Sequence, residues 1–124
     1  MHLPGSCRVC LENVVADEAR GFVLLARDGH RIVGVAYVTV ILSAEYRGLV
    51  GWLEELYVAP RYRSRGIGTA LVSAVLERAR KADVVAIDLE IDVGHSRAES
   101  LYRRLGFHPL NRSRWVKELK TRRA

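Results

Sequence analysis

Residues 61–72 read RYRSRGIGTALV, with Arg61, Arg63 and Arg65 close to Gly66 and Gly68, between a strand-like and a helix-like segment. A strand-to-helix turn leaves several backbone N–H groups without helical partners. Their partial charges, together with the helix dipole, favour an anion. Gly66 and Gly68 remove the β-carbons that would hold a phosphate away from those groups. The arginines add full charge and directed hydrogen bonds. The ligand such a turn suits is a pyrophosphate.

Three carriers of that group compete. A nucleotide-hydrolysing loop needs G-x-x-x-x-G-K-[ST], and neither the lysine nor the spacing is present. A dinucleotide site wants G-x-G-x-x-G early in a βαβ unit. Here the turn follows hairpin-linked strands, which is the wrong context. Coenzyme A is the third.

Working outward, a short helix is expected from about Cys7 to Ala16, because Cys7, Cys10, Leu11 and Val14 follow one helical face. GFVLLAR (21–27) reads as a strand, with Asp28-Gly29 as a hairpin turn. RIVGVAYVTVIL (31–42) is apolar at alternate positions on both faces, so it is expected to be central and covered on each side. SAEYRGLVG (43–51) reads as a polar loop and WLEELYV (52–58) as the next strand. A helix from Gly66 to about Lys81 places Ile67, Ala70, Leu71, Ala74 and Val75 on one face. VVAIDLEI (84–91) follows as a buried strand. Ser96 and Glu99 have capping-box spacing, opening a helix that turns Ala98, Leu101, Tyr102 and Leu105 inward and ends at Gly106. FHPL (107–110) and RWVKEL (114–119) are expected to finish the sheet as a hairpin. The order α-β-β-β-α-β-α-β-β describes one α/β (α+β) domain over residues 1–124.

Arg63-Ser64-Arg65-Gly66-Ile67-Gly68 matches R-x-x-G-x-G, and the chain here resembles the GNAT N-acetyltransferase superfamily. LEELYV (53–58) is similar to that superfamily's fourth strand and AESLYRRLGF (98–107) to its fourth helix, in the expected order. The resemblance runs from Gly21 onward. It implies a mixed, mostly antiparallel sheet with splayed central strands flanked by helices. It also implies acetyl-CoA as cosubstrate, held by Arg63, Ser64, Arg65, Gly66, Ile67, Gly68 and Thr69. The pantetheine arm would lie along Leu56, Tyr57 and Val58, where a backbone N–H can polarise the thioester carbonyl.

Acetyl transfer to an amine needs a base, since the acceptor is mostly protonated at neutral pH. Glu54 and Glu55 interrupt an apolar strand, where acids are unusual unless they face a cavity or partner. Regular alternation sends them to opposite faces, whereas a bulge brings both to one cleft. The strand most resembles that of spermidine/spermine-type and thialysine acetyltransferases, which implies Glu54 as base with Glu55 attracting a cationic acceptor. Which of the two is the base stays open. Tyr102 matches the superfamily's general acid for the departing thiolate, and on the helix's apolar face it also reads as a packing residue.

There are departures from the superfamily pattern. His95 stands where asparagine is usual, which implies an altered contact to the pantetheine region; it reads as a loop residue first and a ligand contact second. One helix is expected ahead of the hairpin where members carry a strand and two helices, which would expose a sheet edge. A homodimer covering the edge or completing the cleft is therefore expected.

The net charge of +6 comes mostly from arginine, consistent with an anionic ligand. Arg112, Arg114, Lys117, Lys120, Arg122 and Arg123 read as a solvated basic tail. Cys7 and Cys10 lack the second pair a zinc site requires, so no metal is expected. No apolar run reaches membrane-spanning length and no secretion signal is evident, so a cytoplasmic protein without membrane contact is expected. The reading is an N-acetyltransferase acting on a small-molecule amine. The alternatives are an inactive acyl-CoA-binding sensor or partner subunit, and a peptide N-acetyltransferase. A nucleic-acid module ranks last, for want of interleaved aromatics.

Overall fold

Backbone pairing begins in the segment whose apolar spacing resembles a helix. The computed structural model describes the backbone of residues 2–3, 6–17 and 20–120, and the side chains of 9–15 and 20–120. After the two-residue strand β1 (His2–Leu3), Ser6–Asp17 is not a helix but strand β2, paired antiparallel with β3 (Gly21–Asp28). Val9 and Leu11 are buried while Glu12 is exposed, a period of two. In so short a stretch the two periodicities coexist, and the backbone ladder with β3 selects one. The side chain of Cys7 lies outside the described residues, as do Arg122 and Arg123.

β4 (Arg31–Ser43) and β5 (Gly48–Val58) continue the antiparallel meander. β5 starts at Gly48, so the expected polar loop contracts to a turn at 44–47. A one-turn 3-10 helix (Pro60–Tyr62) leads to helix α1 (Ile67–Lys81), which crosses over to β6 (Val84–Asp88). β6 pairs with β5 in parallel, and the sheet order is β1-β2-β3-β4-β5-β6. Helix α2 (Ser96–Arg104) follows. The sheet is therefore mixed and mostly antiparallel, as expected.

α1 buries Ile67, Leu71, Val72, Val75 and Ala79. A β-carbon on Gly34 would stand 3.0 Å from Leu71 Cδ1, so Gly34 faces α1, and with it Ala36, Val38 and Val40 by alternation. The opposite face of β4 and β5 is not covered in the way the sequence led one to expect. Tyr37, Ile41 and Tyr57 there are 42%, 60% and 46% exposed. The apolar alternation of β4 is real, but a helix packs on only one of its sides.

The carboxy-terminal hairpin also does not form: residues 107–117 contain no strand, and β6 is the edge of the sheet. Phe107 packs edge-on against Tyr102 at 5.5 Å between ring centres. Beyond it, Arg112 donates to both carboxylate oxygens of Glu45 at 3.1 and 2.7 Å, and Arg114 Nη1 donates to Glu90 Oε1 at 2.5 Å. These contacts lead the chain across the molecule instead of along the β6 edge. Arg112 and Arg114 are thus paired, not a free solvated tail. The Arg112 guanidinium holds the Glu45 carboxyl below its ordinary range by hydrogen bonding.

Leu71 is fully buried between α1 and the sheet. Leu71→Ala should lower unfolding free energy by about 2–5 kcal/mol, through lost transfer energy and the cavity left behind. Urea unfolding followed by circular dichroism checks this.

Candidate active site at the parting of two strands

β5 and β6 share a ladder only from Leu49–Val84 to Trp52–Asp88. β6 ends at Asp88, whereas β5 continues to Val58, so its last six residues face a gap. Parallel neighbours that diverge in this way leave an unpaired strand edge beside a cleft. The cleft holds about 790 Å³.

One wall comes from β5 and the turn after it: Leu56, Val58, Arg63, Ser64, Gly66, Ile67, Gly68 and Thr69. Gly66 adopts φ +80°, in the left-handed region that favours glycine, and is the N-cap of α1 without any side-chain cap. No acid lies in the first turn of α1. The leading amides and the positive end of the helix dipole therefore stay open to an anion. A β-carbon on Gly66 would meet nothing within 4 Å, so the space over the turn is free for a ligand.

The opposite wall comes from α2: His95, Arg97, Ala98, Leu101, Tyr102 and Arg104. His95 is the N-cap of α2, its Nδ1 accepting the Ala98 N–H at 3.2 Å. This replaces the expected Ser96–Glu99 capping box, and makes His95 a structural cap rather than a plain loop residue. Arg97 Nη2 donates to Ser64 Oγ at 3.0 Å, joining the two walls. Among the described residues, no aspartate or glutamate lines the cleft.

The model of the acetyltransferase (GNAT) family matches residues 5–107. The chain belongs to this family. It is 40% identical over 87 residues to an uncharacterized N-acetyltransferase of Methanocaldococcus jannaschii, covering 70% of this chain and 38% of that one. It is 33% identical to N-alpha-acetyltransferase 30 of Schizosaccharomyces pombe, covering 69% of this chain and 57% of that one. Identity is also 33% to thialysine N-epsilon-acetyltransferase of Mus musculus, over 68% of this chain and 49% of that one. The chain thus spans well under two thirds of these curated relatives. Among solved structures, an integron cassette protein from a salt-marsh metagenome superposes with a TM-score of 0.74 at 27% identity, over 85% of this chain and 64% of that one.

Within this GNAT fold, the acids and two of the expected ligand contacts lie away from the cleft walls. Tyr37 pairs with Glu55 and Val38 with Leu53, which leaves Glu54 as a bulge. Thr39 Oγ1 donates to Glu54 Oε2 at 2.8 Å. Thr39 and Tyr37 share the face opposite α1, so the bulge brings Glu54 and Glu55 together on that face. Tyr57 alternates onto it too, with the Arg63 guanidinium 5.9 Å from its ring centre. Arg65 stacks at 5.1 Å over the ring of Tyr62, whose hydroxyl donates to Asp28 Oδ2 at 2.5 Å. Both guanidinium groups are thereby held beside the turn.

Tyr102 is 8% exposed, and burial pushes its phenol pKa above the ordinary value. Its proton is secure at neutral pH. Arg97 and Arg104 escaped the sequence reading, although their i, i+4, i+7 spacing with Leu101 puts them on one helical face. Among the described residues no group of three or more His, Cys, Asp or Glu is arranged to hold a metal ion, and no helix is long and apolar enough to cross a membrane.

Because the folded state holds the Tyr102 proton more tightly than the unfolded chain, stability should fall as pH rises above about 10. Tyr102→Phe should flatten that alkaline decline, which urea titrations at pH 9 to 11 would reveal.

Proposed function

We propose that the domain is a cytoplasmic N-acetyltransferase that moves an acetyl group from acetyl-coenzyme A to the primary amine of a small cationic acceptor. The observation that carries the reading is the cleft that joins the Gly66–Thr69 turn to Tyr102 and is lined by no acid among the described residues. Its residues fit such a carrier. The open amides of the turn and Arg63 suit a pyrophosphate, and the unpaired edge at Leu56–Val58 suits an extended amide-bearing arm.

The carrier supplies the activated thioester. The chain's own residues supply the rest. A backbone N–H of the Leu56–Val58 edge stabilises charge on the carbonyl oxygen. Glu54 accepts the ammonium proton, its carboxylate oriented by the Thr39 hydroxyl. Glu55 adds negative charge that draws a cation to the same face. Tyr102 holds a proton for the departing thiolate. Because the two acids lie on the face opposite α1, in this reading the acceptor approaches the thioester from that face.

The thialysine relative favours a small amine, since its name specifies the ε-amine of an amino acid. A peptide N-terminus is the second reading, favoured by the N-alpha-acetyltransferase relative and by the exposed apolar surface around Tyr37, Ile41 and Tyr57. That surface also supports a homodimer in which a second copy completes the acceptor site. Sedimentation at micromolar concentration should give the dimer mass, and a monomer overturns this part.

A panel of amines and peptide N-termini, assayed by thiol release from acetyl-coenzyme A, tests the activity. Glu54→Gln and Tyr102→Phe should each lower kcat by roughly 10²-fold or more. Calorimetry should find coenzyme A binding intact in both but weakened about tenfold in Gly66→Ala, because an alanine is strained at φ +80° and shifts the turn that presents the amides. Binding without turnover on any acceptor would favour the inactive sensor. Absence of any heat of binding would remove the whole reading.

A further inference from the structure

One cation already lies on the face that carries the two acids. Trp52 pairs with Thr39, so its ring stands on the same side of the sheet as Glu54 and Glu55. The Arg114 guanidinium sits 4.8 Å from the centre of the Trp52 ring while its Nη1 donates to Glu90. The two ion-pair side chains are 62% and 53% exposed, so water competes for this contact and the guanidinium is easily exchanged.

We infer that Trp52 is the seat for a second positive charge of the acceptor, and that Arg114 is the chain's own occupant of that seat, displaced when the acceptor binds. The inference rests on the acetyltransferase reading for the identity of its ligand. Trp52 and Glu54 are two residues apart on β5, roughly 6–7 Å with the bulge at Glu54 shortening the regular strand rise. An acceptor whose reacting amine meets Glu54 while its second cation covers Trp52 is therefore a dication with that separation. Simple α,ω-diamines with about four or five methylenes have it, as do basic amino acids. A monoamine whose single ammonium meets Glu54 has nothing left to exchange for Arg114 on the indole and is selected against. After displacement Arg114 keeps Glu90, so no charge is stranded.

The chain has two tryptophans, Trp52 and Trp115. In Trp115→Phe the fluorescence therefore reports Trp52 alone. Titration with 1,4-diaminobutane, without acetyl-coenzyme A, should change that fluorescence saturably, and butylamine should not. Adding Arg114→Gln should tighten diamine binding about two- to fivefold, the scale of an exposed cation–π contact. Arg114→Lys, which keeps a cation, should bind as the parent does. Arg112→Gln, which breaks the pair with Glu45, should also leave binding unchanged.

No saturable change with the diamine, an equal response to butylamine, or unchanged or weaker binding in Arg114→Gln overturns the inference. The first two readouts need no Arg114 variant. A saturable diamine response without thiol release on any amine supports the seat while overturning the transferase reading. Equal thiol release on monoamines and diamines, in parent and Arg114→Gln alike, overturns the seat and leaves the transferase reading intact.

Discussion

The parting of β5 from β6 after Trp52 and Asp88 is the constraint on which the rest of the molecule depends. Two parallel strands joined by a helix would ordinarily stay paired along their length and bury their polar edges against each other. Here the ladder stops after a few residues and the second strand ends. The free edge of β5 then borders a cleft, with the first turn of α1 at one end and α2 as its far wall. Holding that gap open requires packing elsewhere. It comes from the α1 face, where Leu71, Val72 and Val75 lie fully buried against the sheet.

The turn after β5 shows how local chemistry exploits the opening. Gly66 starts α1 in a conformation that offers no side-chain cap, and the helix carries basic Arg78, Arg80 and Lys81 only in its last turn. Its positive end is left uncompensated by the protein itself. The arginines around it are held by aromatic rings or by Ser64, so they surround the turn without filling it. The side chains around the turn are thus already held in place, with little side-chain entropy left to lose to any ligand.

On the other face, one extra residue in β5 changes the chemistry. Glu54 and Glu55 are consecutive, and a regular strand would have sent one of them toward α1, where a carboxylate has no partner among Ala36, Val38 and Leu71. The bulge avoids that cost and places both acids on the exposed side, one of them on the Thr39 hydroxyl. The same face gathers Tyr37, Tyr57 and Trp52. Aromatic rings and carboxylates together make a surface suited to organic cations, and the stacking of Arg114 on Trp52 is consistent with that character.

Much of this was legible in residues 61–72 and their neighbours. Glycines at defined offsets, arginines beside them and a 3.6-residue apolar period are local features. They determined the glycine turn into helix α1, the helix itself, the β3–β4 hairpin and the inward placing of Tyr102. Three things were decided only in the folded chain. Residues 6–17 became a strand because β3 offered a partner ladder, and residues 114–119 did not, with Arg112 and Arg114 bound to carboxylates elsewhere. The face on which Glu54 lies depended on the register between β4 and β5. Arg97 met Ser64, and Arg114 met Trp52, across long sequence separations. Propensity and period are properties of short segments, whereas register, edge occupancy and pairing between distant charges belong to the whole sheet.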